Sequence, residues 1–198
     1  MLFRSWSHVE GGNSTSVGAA SHAEGNATKA ISNYSHTEGY QTTTNGSYSH
    51  AEGSGSLSKG IGSHAEGNGA IAHGDYSHAE GNLTISSGSY SHAEGAATTS
   101  IGSYSHTEGT QTTATNQGSH AEGYLTVATS TASHTEGSGS LTVAGAYAHA
   151  EGATTTAVGA SSHAEGTSTT SKGQASHAEG LSSISSGSYS HAEGNATL

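Results

Sequence analysis

The chain has 198 residues, with 30 Gly, no Pro, no Cys and 6% aromatic residues. Four Lys and Arg against 15 Asp and Glu leave a net charge of −11 with His neutral, which speaks against a nucleic-acid-binding face, and the lack of Cys excludes disulfides and thiolate metal sites. Large apolar side chains are too few for a conventional globular core, and no apolar run approaches the ~20 residues of a membrane helix.

Residues 1–6 read as a lead-in without the apolar region of a secretory signal. From Ser7 onward a single motif, Ser-His-Ala-Glu-Gly with small variations, recurs 14 times. Its first copy is Ser7-His8-Val9-Glu10-Gly11. Thr replaces the central Ala at Thr37, Thr107 and Thr135, and Ala replaces the leading Ser at Ala148. The imidazoles fall at His8, His22, His36, His50, His64, His78, His92, His106, His120, His134, His149, His163, His177 and His191. Two residues after each stands a carboxylate: Glu10, Glu24, Glu38, Glu52, Glu66, Glu80, Glu94, Glu108, Glu122, Glu136, Glu151, Glu165, Glu179 and Glu193. The step is 14 residues throughout, except for 15 between His134 and His149. A fixed short period along a whole chain is the mark of a solenoid, here a single repeat domain over 7–198. Protonating all 15 His would carry the net charge from −11 to +4.

Each repeat is numbered here from the first residue of the motif. Gly at position 5 and, in most repeats, Gly at position 12 read as two turn signals half a period apart. They divide each repeat into two short strands and leave no room for a helix. Alternation places positions 1, 3, 8 and 10 on the inside, and these are almost all Ser, Ala or Thr. The inside is therefore narrow. Stacking at about 4.8 Å per coil gives a rod of about 65 Å. Positions 14, 2 and 4 face outward, and position 14 is often Tyr, as at Tyr34, Tyr48 and Tyr76. Positions 9 and 11 also face outward but drift in type. The extra residue in the 15-residue step is expected within 138–144, as a one-residue bulge.

A face that holds His and Glu through every coil, opposite one that drifts, implies a partner with the same periodicity. Another copy of the chain in register is the natural one. A coil this thin buries little alone, so association would supply the missing burial.

The pattern carried by Gly81, Thr84, Ser86, Gly88, Ser91, Ala93 and Gly95 resembles the head repeats of YadA-like trimeric autotransporter adhesins, and similar modules occur in phage tail fibres. The resemblance implies an all-β, left-handed parallel β-roll of about 14 coils, trimerising side by side. It places the His and Glu rows at the centre of the trimer, where the family usually has Val and Ile. It implies an extracellular, cell-surface or virion-associated fibre. The absence of a heptad stalk, a membrane anchor and a signal peptide from this sequence suggests a fragment or a different export route.

Three roles for the His and Glu rows follow. In the first, they pair between chains and fix register, at little net gain over apolar packing. Mutual pairing would raise the His pKa and lower that of Glu, so stability is expected to peak between about pH 4.5 and 7.5. In the second, three His on a three-fold axis ligate one metal ion per coil. The first is preferred, and no metal or other cofactor is expected. The third is catalysis, which 14 equal copies argue against. No enzymatic activity is expected. His73, the only His outside the motif, is expected to pair with Asp75 at the surface. Thr runs such as Thr42-Thr43-Thr44 invite an ice-binding reading, but position 9 lacks a regular Thr array. The expected function is an adhesive head or shaft module, with Leu57, Ile71, Ile85, Val127 and Leu141 exposed at position 9 toward a host protein or glycan. A mechanical spacer is the alternative. Neither nucleic acid nor membrane insertion is expected of this segment.

Overall fold

The computed structural model describes residues 6–198, so that of the lead-in only Trp6 is included. The described residues are all β, with no helix, and form a parallel β-solenoid with a 14-residue repeat. They fall into two units, 6–97 and 98–198, built on one plan. Every complete coil has a five-residue strand starting at the motif His, such as His50–Ser54, and a two-residue strand at positions 9 and 10, such as Leu57–Ser58. In each unit the long strands form one parallel sheet and the short strands another. Pairing is like on like: His50 lies beside His64, Glu52 beside Glu66 and Gly53 beside Gly67. Parallel strands need a crossover. Here the remainder of each coil supplies it.

The alternation expected from sequence holds. Positions 1, 3, 8 and 10 are inside, as at Ser63, Ala65, Ala70 and Ala72, all essentially without solvent contact. The largest fully buried side chains are Thr. At about 0.8 kcal/mol per buried CH₂, such a core gains little per residue, so its hydroxyls must be satisfied. Many are. Ser63 Oγ donates to the Gly60 carbonyl at 2.7 Å and accepts from Ser58 Oγ at 2.5 Å, across the coil. Thr42, Thr126 and Thr169 donate to the carbonyls of Glu38, Glu122 and Glu165 at 3.0–3.1 Å.

The two turns lie where expected, half a period apart, but their conformations differ from expectation. Position 5 Gly does adopt positive φ, +95° at Gly53, but position 12 Gly does not. The left-handed turn residues are instead positions 7 and 14, and they include Gln41, Leu83, Tyr34 and Tyr48 at φ between 56° and 60°. Tyr at position 14 therefore sits in a turn and not on the strand that carries His and Glu. Position 12 is Gly for a steric reason. A Cβ on Gly60 would collide with the carbonyl group of Gly74 in the next coil.

The insertion is resolved to one residue. Leu141 and Thr142 pair with Thr156 and Ala157, a shift of 15, whereas Val127 and Ala128 pair with Leu141 and Thr142 at 14. Gly145 packs on Gly159 as position 12 does elsewhere. The extra residue is Ala144, at φ 55°. It lies within 138–144 as expected, but in the loop after the short strand and not as a bulge within it. That placement leaves both ladders intact.

Candidate functional site: a ladder of histidine and glutamate

Because like residues pair with like, each long sheet carries a row of imidazoles beside a row of carboxylates. The strand alternation puts both rows on the outer face, with the buried position 3 between them. In the first unit the rings of His22, His36, His50, His64 and His78 stack with centroids 4.8 Å apart and planes within 6°. In the second, His134, His149, His163, His177 and His191 stack at 4.7–4.8 Å within 8°. The steps His78–His92 and His106–His120 are tilted by 32° and 36°. The strand spacing imposes this separation.

Stacking shapes the His–Glu geometry. In the interior of the ladder Nε2 lies 3.5–4.0 Å from Oε2 of the Glu two residues on, as for His50–Glu52 at 3.6 Å and His163–Glu165 at 3.6 Å. That is beyond hydrogen-bonding distance. His8, with a neighbour on one side only, turns its ring 70° from His22 and closes on Glu10 at 2.7 Å. Two-sided contact is not required for stacking, since His191, also with a neighbour on one side only, stays within 3° of His177. The interior His side chains are about one-third exposed, 34% at His50, yet their Nε2 atoms are covered and lack hydrogen-bond partners at His22, His50, His64, His120, His149 and His163.

Within the single chain, burial and like neighbours set the titration of the imidazoles. The pKa values of His50, His78, His120 and His149 are lowered, first by burial and then by adjacent imidazoles, against which the nearby carboxylates do not prevail. At the end of the ladder the hydrogen bond from His8 lowers the pKa of Glu10, as expected of a carboxylate beside imidazole. Raised His values are expected where His and Glu pair between chains, whereas these shifts arise within one chain. The sequence hides the two like neighbours that lie one coil away on either side.

The remaining residues singled out from sequence are placed as follows. Leu57, Ile71 and Ile85 stack in register on the short-strand sheet of the first unit, as do Val127 and Leu141 on that of the second. They are half-buried and not exposed, because each is flanked by its neighbours in the row. Asp75 does not turn to His73. It accepts a hydrogen bond from the Ile61 amide at 2.8 Å, fastening one turn to the preceding coil. His73 has its pKa lowered by burial and by Lys59. Tyr turn rings also stack, Tyr34 on Tyr48 at 5.0 Å and Tyr76 on Tyr90 at 5.2 Å.

The ladder sets two imidazoles and a carboxylate within 4.8 Å of one another again and again, as at His22, Glu24 and His36 and at His120, Glu122 and His134. Such a surface can accept protons, pair with a complementary row or ligate cations. Neither a family model nor a curated protein matches the chain.

Proposed function

We propose that this chain is a structural, non-enzymatic fibre module that associates in parallel as a homotrimer along its His and Glu ladder. The observation that carries this reading is the ladder itself. One outer face repeats the same two polar residues from coil to coil, and the covered Nε2 atoms of His22, His50, His64, His120, His149 and His163 find no hydrogen-bond partner in the chain. A buried polar atom without a partner is costly, and a second copy in register offers one to every coil at once. The Ala, Ser and Thr core adds support, since it gains little burial for the backbone it orders.

In this reading the roll is left-handed and serves as a head or shaft segment, as in the trimeric adhesins and tail fibres that its repeat resembles. It works at a cell or virion surface. The short-strand row of Leu57, Ile71 and Ile85, with Val127 and Leu141, meets a host protein or glycan. The variation of position 9 from coil to coil favours a ligand-facing role over a plain spacer, because a spacer gains nothing from an apolar stripe. Sedimentation equilibrium tests the association: a mass of about three times the 19.5 kDa chain is expected, and a folded monomer at micromolar concentration overturns it. Attachment of the purified protein to matrix proteins and glycan arrays tests the stripe. Serine at all five positions should abolish any attachment found, and unchanged attachment would remove the stripe from the account.

A further inference from the structure

The spacing of the ladder atoms is unsuited to hydrogen bonding but suited to coordination. Two ligands at 2.0–2.2 Å from a shared ion, at a near-tetrahedral angle, stand about 3.3–3.6 Å apart. His149 Nε2 and Glu151 Oε2 are 3.6 Å apart, and so are His163 Nε2 and Glu165 Oε2. A third donor follows from the next coil. Glu151 Oε2 lies 4.0 Å from His163 Nε2, and Glu165 Oε2 lies 3.8 Å from His177 Nε2. We propose that the ladder is a one-dimensional array of transition-metal sites, each made by the His and Glu of one coil with the His of the next, and filled in alternate coils because each Nε2 has a single lone pair to give. Two imidazoles and a carboxylate select Zn²⁺, Ni²⁺ or Cu²⁺ over Ca²⁺ and Mg²⁺, which prefer oxygen.

Three further observations support the assignment. The Nε2 atoms of His120, His149, His163 and His177 are covered and have no hydrogen-bond partner, so ligation would satisfy atoms that the chain leaves unsatisfied. Each of His149, His163 and His177 also has its own carboxylate oxygen at 3.5–3.6 Å, a second donor already in place. Stacked rings direct their lone pairs in parallel, so closing the third bond requires a ring to tilt. The ladder accommodates such a tilt, since His106 and His120 meet at 36°. All the ligands belong to one chain, so the sites form without a second copy, and where filled they take the Nε2 atoms that would otherwise meet one.

The test is calorimetric titration of Zn²⁺ into the chelator-stripped full-length chain at pH 7.5 and about 0.15 M salt, which screens diffuse attraction to the acidic surface. The expected result is several ions per chain, no comparable binding of Mg²⁺, and a visible Co²⁺ absorption band of low-symmetry nitrogen and oxygen coordination. The variant E122Q/E136Q/E151Q/E165Q keeps side-chain size at half-exposed positions and should lose about two ions per chain, because adjacent coils share a His, while H73Q should lose none. Should the quadruple variant fail to fold, copper EPR on the unmodified chain decides. Coupling to imidazole nitrogens is expected, and oxygen-only coordination overturns the proposal. A stoichiometry of one or none, equal binding of Mg²⁺, or a folded quadruple variant with unchanged stoichiometry also overturns it.

Discussion

Two glycines two residues apart offer a sharp test of how the solenoid is built. Gly53 and Gly55 both have positive φ, at 95° and 68°. A Cβ on Gly53 would fall on the carbonyl oxygen of Gly67 in the next coil, whereas a Cβ on Gly55 has nothing within 4 Å. Gly55 also occupies position 7, where Ala27 and Ala97 adopt the same conformation in other coils. For Gly55→Ala, the left-handed strain of about 1–2 kcal/mol is partly offset by about 0.4–1 kcal/mol from the less flexible unfolded chain. For Gly53→Ala, backbone strain of about 1–3 kcal/mol adds to about 1–3 kcal/mol or more of overpacking, because the neighbour that must move is itself paired backbone. For a chain near 200 residues this corresponds to a fall in Tm of about 5–20 °C for Gly53→Ala, against less than about 4 °C for Gly55→Ala. Thermal melts followed by far-UV circular dichroism at fixed protein concentration would measure both. Equal melting of the two variants would refute the claim that coil-to-coil backbone contact, and not turn conformation, dictates Gly at position 5.

Further outcomes follow from the same structure. Ser58→Ala and Ser63→Ala should each destabilise by about 1–2 kcal/mol, whereas the double variant should lose clearly less than their sum because the two hydroxyls serve each other; urea midpoints give the comparison. The lowered pKa of His50, His78, His120 and His149 means that the unfolded chain binds more protons than the folded one below about pH 6.5. For the unassociated chain in chelator, stability should thus be fully present above that pH and fall as pH drops below it, at up to about 1.4 kcal/mol per pH unit for each proton taken up on unfolding. A Tm that rises on going from pH 7.5 to 5.5 would contradict this sign. His8→Ala should leave Tm within about 2 °C of the parent chain, since the pair it makes with Glu10 is exposed and screened.

Much of this architecture is legible in the residues. The 14-residue period, the small residues at positions 1, 3, 8 and 10 and the extra residue before Gly145 define coils, their interior and the one break in phase, because burial and strand alternation act on every repeat alike. The turns are less legible. Positions 7 and 14 adopt left-handed φ with Gln41, Leu83, Ala97 and Tyr48 as readily as with Gly55, so no residue type announces them. Gly at position 12 opens a turn as expected, its carbonyl accepting from the amide three residues on, but it is Gly for a close approach of backbones and not for a positive φ. Sequence presents His and Glu as neighbours two residues apart, which suggests a pair.

Sequence by itself determined that this chain repeats, that its repeat is a pair of strands, and that His and Glu share one outer face, since these follow from period and alternation alone. Only the tertiary structure decided what each imidazole meets. Stacking of coils brings imidazoles 14 apart in sequence to 4.8 Å in space, with their carboxylates held just beyond hydrogen-bonding distance, and so sets the direction of their titration and the spacing of their nitrogen atoms.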